Sequence, residues 1–464
     1  MDYSKIKKIN CKNDNPDLNT VQNTWMKFFS NQTSLNDYQG LIFPETNNNN
    51  FAFNKFYSMQ KFSENVIKNI KLINKTNILE MENSEVKLLK KNKTYEIEIN
   101  LKFNEELSEM RNNILKDDNT TNNILFLYID ALSRPHFFRK MKRLSKFLEK
   151  FNSNKTLSYE SFQFLKYQSF KNDYYSSGIQ TIFYQKSQES MYLKNQNTHI
   201  LSLLKKQGYI TGQSANYCFK EFQSIEKESN FFKSTKIEEY DHENIAMFCD
   251  PFFYDNKNSE TKNIKGINSA IKRCLYGKNS FEYVLEYGYK FWTKYKNNKK
   301  FLRLGFFEGN EKTGEVIKYL DYYLYDFLTD LYEKNYLEKT IIFIVSGQGN
   351  TYNEIFNSNI NYDFYIEKYI GTLFIIVDKE GLKLNDNDLI NIRNNQQNMV
   401  TAFDIHETLK SIVNKNIYKD VNENEADYEY DIIGKSLFGF IETKDRNCDK
   451  FKQTSEDVCR CIEF

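Results

Sequence analysis

The pattern of apolar and polar positions changes near Asn123. Upstream, residues 1–120 are polar, rich in Asn and Lys, and have no strong period. The exception is Thr94–Phe103 (TYEIEINLKF), whose alternation predicts a strand with one solvated face. Ile124–Ile129 is then an unbroken apolar run closed by Asp130, the pattern of a strand buried on both faces. A loop follows, and Lys140–Phe151 places Met141, Leu144, Phe147, Leu148 and Phe151 at helical spacing. Ile200–Gln207 predicts a second helix, leading into Tyr209-Ile210-Thr211-Gly212. Phe281–Tyr295 carries aromatics at helical spacing, which read as core. Phe301–Phe307, Thr340–Val345 and Leu373–Val377 predict strands, and Val316–Leu331 and Phe403–Val413 predict helices. This alternation predicts a mainly parallel sheet with helices on both faces. It divides the chain into an accessory region (1–120, partly irregular), an α/β domain (121–440) and a cysteine-rich tail (441–464).

Composition narrows the function classes. The chain has 464 residues, 40% of them hydrophobic and 16% aromatic, which is enough for a sizeable core and excludes wholesale disorder. With 64 basic and 62 acidic residues the formal charge is only +2, so no nucleic acid partner is expected. The excess of Asn, Lys, Tyr and Phe follows AT-rich codons. Glycosylation sequons at Asn31, Asn74, Asn92, Asn119 and Asn154 therefore carry little weight as a number, although each could accept a glycan in a secreted glycoprotein. No apolar run approaches the ~18–20 residues of a membrane span. The start, Met1–Lys8, has no apolar signal core, which taken literally predicts a cytosolic protein.

The cysteines point the other way. Cys448, Cys459 and Cys461 crowd the tail, with Cys11, Cys218, Cys249 and Cys274 elsewhere. The readings are disulfides, unpaired thiols or a metal. Disulfides are preferred, because they would staple an otherwise fraying end and the paired spacing of a zinc module is missing. Cys448 with Cys459 or Cys461, and Cys249 with Cys274, are the expected pairs; the odd count leaves one cysteine over. Disulfides imply the secretory pathway, so an extracellular or lumenal location is expected, with a truncated start or an upstream anchor.

Ligands of open α/β sheets bind beyond the carboxyl ends of the strands. Three such ends stand out: Asp130, Glu308-Gly309-Asn310-Glu311, and Ser346-Gly347-Gln348-Gly349. Asp130 is either a metal carboxylate or a loop or capping aspartate. Glu308 and Glu311 are either site carboxylates or part of a solvated loop. His136, His199 and His242 are isolated and read as surface or internally satisfied. His406 opens a helix beside Asp404, which reads as a cap. Four histidines are a thin supply for a two-zinc hydrolase.

An ordered set of segments carries a family resemblance. It runs through Ile129–Phe137 (IDALSRPHF), Lys146-Phe147-Leu148, Phe162–Tyr184, Cys274–Lys278 (CLYGK), Gly309–Asp321 (GNEKTGEVIKYLD) and Ile341–Gly349. It continues with Asp404–Leu409 (DIHETL), Gly434–Phe438 (GKSLF) and the cysteine-rich end. Over roughly residues 120–464 the chain resembles the sulfatase-like branch of the alkaline phosphatase superfamily, in particular its eukaryotic family of uncharacterised domains. The resemblance implies a three-layer α/β/α sandwich. It also implies divalent metal such as Zn, Mn or Mg, which activates a nucleophile and holds a phosphate or sulfate ester.

Carried over position by position, the resemblance makes Asp130 a metal ligand. It places a Thr or Ser nucleophile within Lys171–Gly178, where Tyr174, Tyr175 and the candidate nucleophile Ser176 compete. The family's Ser-Asp-His-Gly strand end is here Ser346-Gly347-Gln348-Gly349, and its Gly-His-Glu is Gly309-Asn310-Glu311. Gly347, Gln348 and Asn310 are thus degraded ligand positions. Glu367 resembles an acidic position of the family. Neutral amides do not build a zinc shell, and without a metal a hydroxyl nucleophile stays protonated. The expectation is a pseudoenzyme with no metal, or one weakly bound divalent metal. It would act as a binding or structural protein for an anionic ester, lipid head group or glycan. The alternative is an active metal-dependent ester hydrolase or phosphoryl-head-group transferase. That enzyme would use Asp130, Ser176, Glu308, Glu311 and Asp173 around a hard metal ion.

Overall fold

The computed structural model describes residues 70–72, 79–81, 86–91, 94–115, 122–153, 156–168, 179, 182–183, 200–216, 240–244, 274–275, 277–310, 314–349, 362–414 and 434–446. The described part of the accessory region holds β1 (Ile70–Leu72), β2 (Leu79–Met81), β3 (Val86–Lys91) and β4 (Thr94–Ile99), an antiparallel sheet in sequence order. Each strand pairs with its chain neighbour, so local hairpins suffice and no long apolar run is needed. The predicted strand at Thr94–Phe103 stops at Ile99. Helix α1 (Glu105–Ile114) follows, its Asn104 side chain accepting from Leu107 N. Arg111 pairs with Asp241 at 3.0 Å, and Asn298 donates to Ser108 at 2.8 Å, tying α1 to the α/β sheet.

The rest is built on a seven-stranded sheet. Its strands are β5 (Asn123–Ile129), β6 (Tyr159–Gln163), β8 (Ile210–Ala215), β9 (His242–Asn244), β12 (Lys300–Phe306), β13 (Thr340–Val345) and β14 (Leu373–Asp378). The order is β6-β14-β13-β5-β12-β8-β9, and β14 alone runs antiparallel to its neighbours. Short strands β7 (Lys166–Tyr167) and β15 (Met399–Val400) pair with each other, as do β10 (Cys274–Leu275) and β11 (Lys278–Asn279). The helices are α2 (Arg134–Lys140), α3 (Lys142–Ser153), α4 (Ile200–Lys206), α5 (Ser280–Lys294), α6 (Ile317–Glu333), α7 (Tyr362–Tyr369), α8 (Asp386–Asn395) and α9 (Ala402–Val413).

Alternation along β5 sorts the core into two layers. Leu125, Leu127 and Ile129 join the cluster under α3, α5 and α6; Ile124, Phe126 and Tyr128 join the one under α4, α8 and α9. The molecule is therefore a three-layer α/β/α sandwich, as its sequence predicts. No helix among the described residues is long and apolar enough to cross a membrane.

Helix α2 lies where a loop is expected. Ser133 caps it by accepting from His136 N, and Pro135 sits in its first turn, where a missing N–H costs nothing. The predicted helix from Lys140 is broken at Met141, whose ψ of 60° leaves the helical region. Asp321 of α6 restarts it: its two oxygens accept from Arg143 N and Leu144 N, each at 2.9 Å. Burial pushes the Asp321 carboxyl up to about 6.

Phe126 is the hub of the second layer, with ring centres of Phe183, Phe343 and Phe301 at 5.6, 5.8 and 6.5 Å. Phe126→Ala is expected to cost about 3–5 kcal/mol in urea unfolding, the usual range for a buried phenylalanine. A loss below about 1 kcal/mol would contradict this packing.

Candidate functional site

β5, β12 and β13 run parallel and in register, so Asp130, Glu308 and Ser346 emerge at one edge of the sheet. Asp130 N still pairs with Phe306 O at 2.9 Å, and Ala131 then turns the chain with a positive φ of 54°. Gly309 passes directly under this turn. A Cβ there would collide with the Asp130 carbonyl, so only glycine allows the approach.

Both oxygens of the Asp130 carboxylate are taken by neutral donors. Tyr128 OH donates to Oδ1 at 3.0 Å and Asn310 Nδ2 donates to Oδ2 at 2.5 Å. Tyr128 and Asp130 are two apart on one strand and so share a face. That spacing is the signal in the sequence that would have found Tyr128, which otherwise reads as one more apolar residue of the strand. Tyr128 also borders Gly347: a Cβ at 347 would run into its hydroxyl. The tyrosine thus fills the space where a side chain at 347 would begin. Ser346 is buried and internally satisfied, accepting from Leu132 N at 3.0 Å and donating to Gln348 O at 2.6 Å. The Gln348 side chain faces solvent.

Glu308 stands at the end of β12 in a short 3-10 turn and is buried. Its Oε1 accepts from Asn216 Nδ2 at 2.5 Å and Ser280 Oγ at 3.4 Å, while Oε2 has no partner. Burial pushes its carboxyl up to about 7, against the pull of these donors. Asn216 Oδ1 in turn accepts from Phe307 N, which fixes the amide's orientation.

A second network rims the edge. Glu367 accepts from Ser133 Oγ and from Arg139, both at 2.6 Å. Arg139 also reaches His136 Nδ1 at 3.1 Å, and His136 Nε2 meets the Gly314 carbonyl at 2.7 Å. With Arg139 donating to Nδ1, Nε2 carries the proton and the ring is neutral. Burial first, then Arg139, lowers its pKa. Sequence reading assigned no role to Ser133 or Gly314, although both lie in quoted segments, and Arg139 lies in none of them.

The other described histidines lie elsewhere. His242 bonds the Tyr295 hydroxyl at 2.7 Å. His406 is fully buried on α9, with Nδ1 on Ile182 O at 2.8 Å. Asp404 does cap α9, as the N3 partner of Thr401 in a capping box, and pairs with Arg446 at 2.9 Å. Ser176, Asp173, Tyr174, Tyr175, Glu311, His199, Cys11, Cys218, Cys249, Cys448, Cys459, Cys461 and the five sequon asparagines lie outside the described residues. Cys274 opens β10, but its side chain also lies outside them.

A catalytic zinc takes about four N, S or O donors. The β5 end offers one carboxylate, already accepting two hydrogen bonds, and an amide turned to donate. Among the described residues no group of three or more His, Cys, Asp and Glu side chains could hold a metal ion. This described donor set does not fit such an ion.

A family model described as "Protein of unknown function (DUF229)" matches residues 185–464, more than half of the chain. The chain belongs to this family. No curated protein matches it. Among solved structures, this DUF229 chain is similar to a protein in the alkaline phosphatase superfamily from Vibrio parahaemolyticus. That match has 15% identity, 75% coverage of this chain, 81% of the other, and a TM-score of 0.42. It is also similar to the zinc complex of the C-terminal periplasmic domain of EcEptC from Escherichia coli (11%, 64%, 83%, 0.41). A phosphonate monoester hydrolase from Silicibacter pomeroyi is a third (12%, 68%, 76%, 0.39). At these TM-scores the likenesses do not bear on function.

His406 gives a prediction on pH. Burial lowers its pKa to about 4, against 6.5 for the free side chain. The unfolded chain therefore takes up a proton first, and stability present above pH 6.5 is lost as pH falls towards 4. His406→Asn should lose less stability over this window than the natural chain, by on the order of 3 kcal/mol. Parallel urea titrations at pH 7 and pH 4.5 test this; equal losses in the two proteins would refute a buried neutral imidazole.

Proposed function

We propose that this DUF229 chain is a catalytically degraded relative of the alkaline phosphatase and sulfatase-like enzymes, acting as a binding or structural protein. The observation that carries the reading is the Tyr128 hydroxyl. It donates to Asp130 and lies where a side chain at Gly347 would begin. In the resembling family, position 347 is an aspartate ligand and Gln348 and Asn310 are histidines. Here one neutral phenol and one amide supply to Asp130 what a cation would otherwise supply. Secretory or extracellular residence, disulfides in the tail and the division at residues 120 and 440 belong to the same proposal. So does an anionic ester, lipid head group or glycan as the natural partner.

A second reading, an active metal-dependent ester hydrolase or transferase with Ser176 as nucleophile, is favoured by one observation. Glu308 holds a buried Oε2 without a partner at a strand end beside Asp130. Glu311 and Asp173 would complete its shell around a hard ion.

Metal titration of the full chain separates the two. Zn²⁺, Mn²⁺, Mg²⁺ and Ca²⁺ are each added to the natural chain and to Asp130→Ala, with calorimetry and thermal shift as readouts. A metal at 100 times its Kd stabilises the native state by about 2.7 kcal/mol. The degraded reading expects no metal, or one bound only weakly, and so no large shift that depends on Asp130. It further expects Gly347→Asp with Gln348→His to stay inert until Tyr128→Phe is added. A stoichiometric metal in the natural chain, lost in Asp130→Ala, would overturn it in favour of the second reading.

A further inference from the structure

Phe440 is 69% exposed, the most of any large apolar side chain among the described residues. A single exposed aromatic is ordinary; the way this one is held is not. Three asparagines at helical spacing grip the segment on either side of it through its carbonyls. Asn391 donates to Phe438 O at 3.0 Å, and Asn395 donates to Leu437 O and Gly439 O at 2.9 and 2.8 Å. Asn398, just beyond α8, donates to Ile441 O at 3.2 Å and accepts from Thr443 at 2.8 Å. Asn395 and Asn398 are buried, so these bonds are shielded from water. The backbone that carries the ring is therefore held in place, and only the ring's own rotation remains to be ordered on binding.

Beside the ring lies a cleft of about 590 Å³, at the sheet edge formed by β6. The Asn394 and Gln397 amides line it together with Arg393 and Lys444. Both cations are compensated. Arg393 grips Glu160 of β6 with two bonds of 2.8 and 2.7 Å, and Lys444 pairs with Glu442 at 2.7 Å. Glu160 also meets Lys379 Nζ at 3.5 Å, but Asp386 adds a second carboxylate near Arg393, so the charges around the cleft nearly balance and an anion is only weakly attracted.

We propose that this cleft is a binding site for a neutral oligosaccharide. A pyranose ring has an apolar face of C–H bonds that stacks on an aromatic ring. Its rim of adjacent hydroxyls suits amides, which donate and accept side by side. Phe440 supplies the first and Asn394 and Gln397 the second. The compensated charges favour an uncharged sugar over a sulfated or carboxylated one. The inference uses no atom of the strand-end site and does not depend on what that site does.

The test titrates the full chain by calorimetry with neutral hexasaccharides of glucose, mannose, xylose and N-acetylglucosamine, beside sulfated and uronic-acid oligomers. At least one neutral oligomer is expected to bind. Phe440→Ala and Phe440→Leu should each weaken it about tenfold or more, Phe440→Trp should retain it, and Asp130→Ala should leave it unchanged. Phe440 is exposed, so these variants fold. Binding of charged oligomers alone, no binding at all, or full affinity in Phe440→Leu would each overturn the proposal. Loss of binding in Asp130→Ala would assign the sugar to the strand ends instead and overturn it equally.

Discussion

From Ile124 to Ile129 every residue of β5 is buried, and water reaches neither face of the strand. Its peptide groups must therefore be paired by neighbours, and both neighbours, β12 and β13, run parallel to it. The rest of the architecture follows from this constraint. Parallel neighbours require crossovers that lay helices on both faces, and they bring three carboxyl ends to a common edge. Asp130, Glu308 and Ser346 meet there because of hydrogen-bond register, from separate segments of the chain.

Two carboxyl groups at that edge illustrate two solutions to one problem. An ionised carboxylate away from water must find donors or lose its charge. Asp130 has found donors, one from its own strand and one from the turn after β12. Glu308 has an amide and a hydroxyl on one oxygen only, and burial tips it towards the neutral form. Ser346, Leu132 and Gln348 close a further set of bonds beside them. The strand ends are thus a polar assembly whose described members largely satisfy one another.

The sandwich was legible because its signals are long and periodic. Thr340–Val345 could be bounded to the residue, and the helices of α5, α6 and α9 to within one or two. What escaped reading was either short or relational. Of the β1–β4 sheet only β4 was read; β1, β2 and β3 are short, with Lys and Glu between the apolar positions. Helix α2 is only seven residues long, although Ser133 and Pro135 announce its start. At the site, Asp130 and Glu308 could be listed from strand ends alone. Their pairing could not: Tyr128 hides in an apolar run, Asn216 and Ser280 come from distant segments, and Asn310, although listed, gives no sign in the sequence that its amide meets Asp130.

The mutual exclusion of the Tyr128 hydroxyl and a side chain at 347 couples the two positions in any course of substitution. The two positions constrain each other like a latch. A side chain placed at 347 first meets the phenol. Shortening the phenol first leaves Asp130 with one donor fewer and nothing in exchange. Each single step therefore passes through a poorer protein, and positions 128 and 347 are free to change only together.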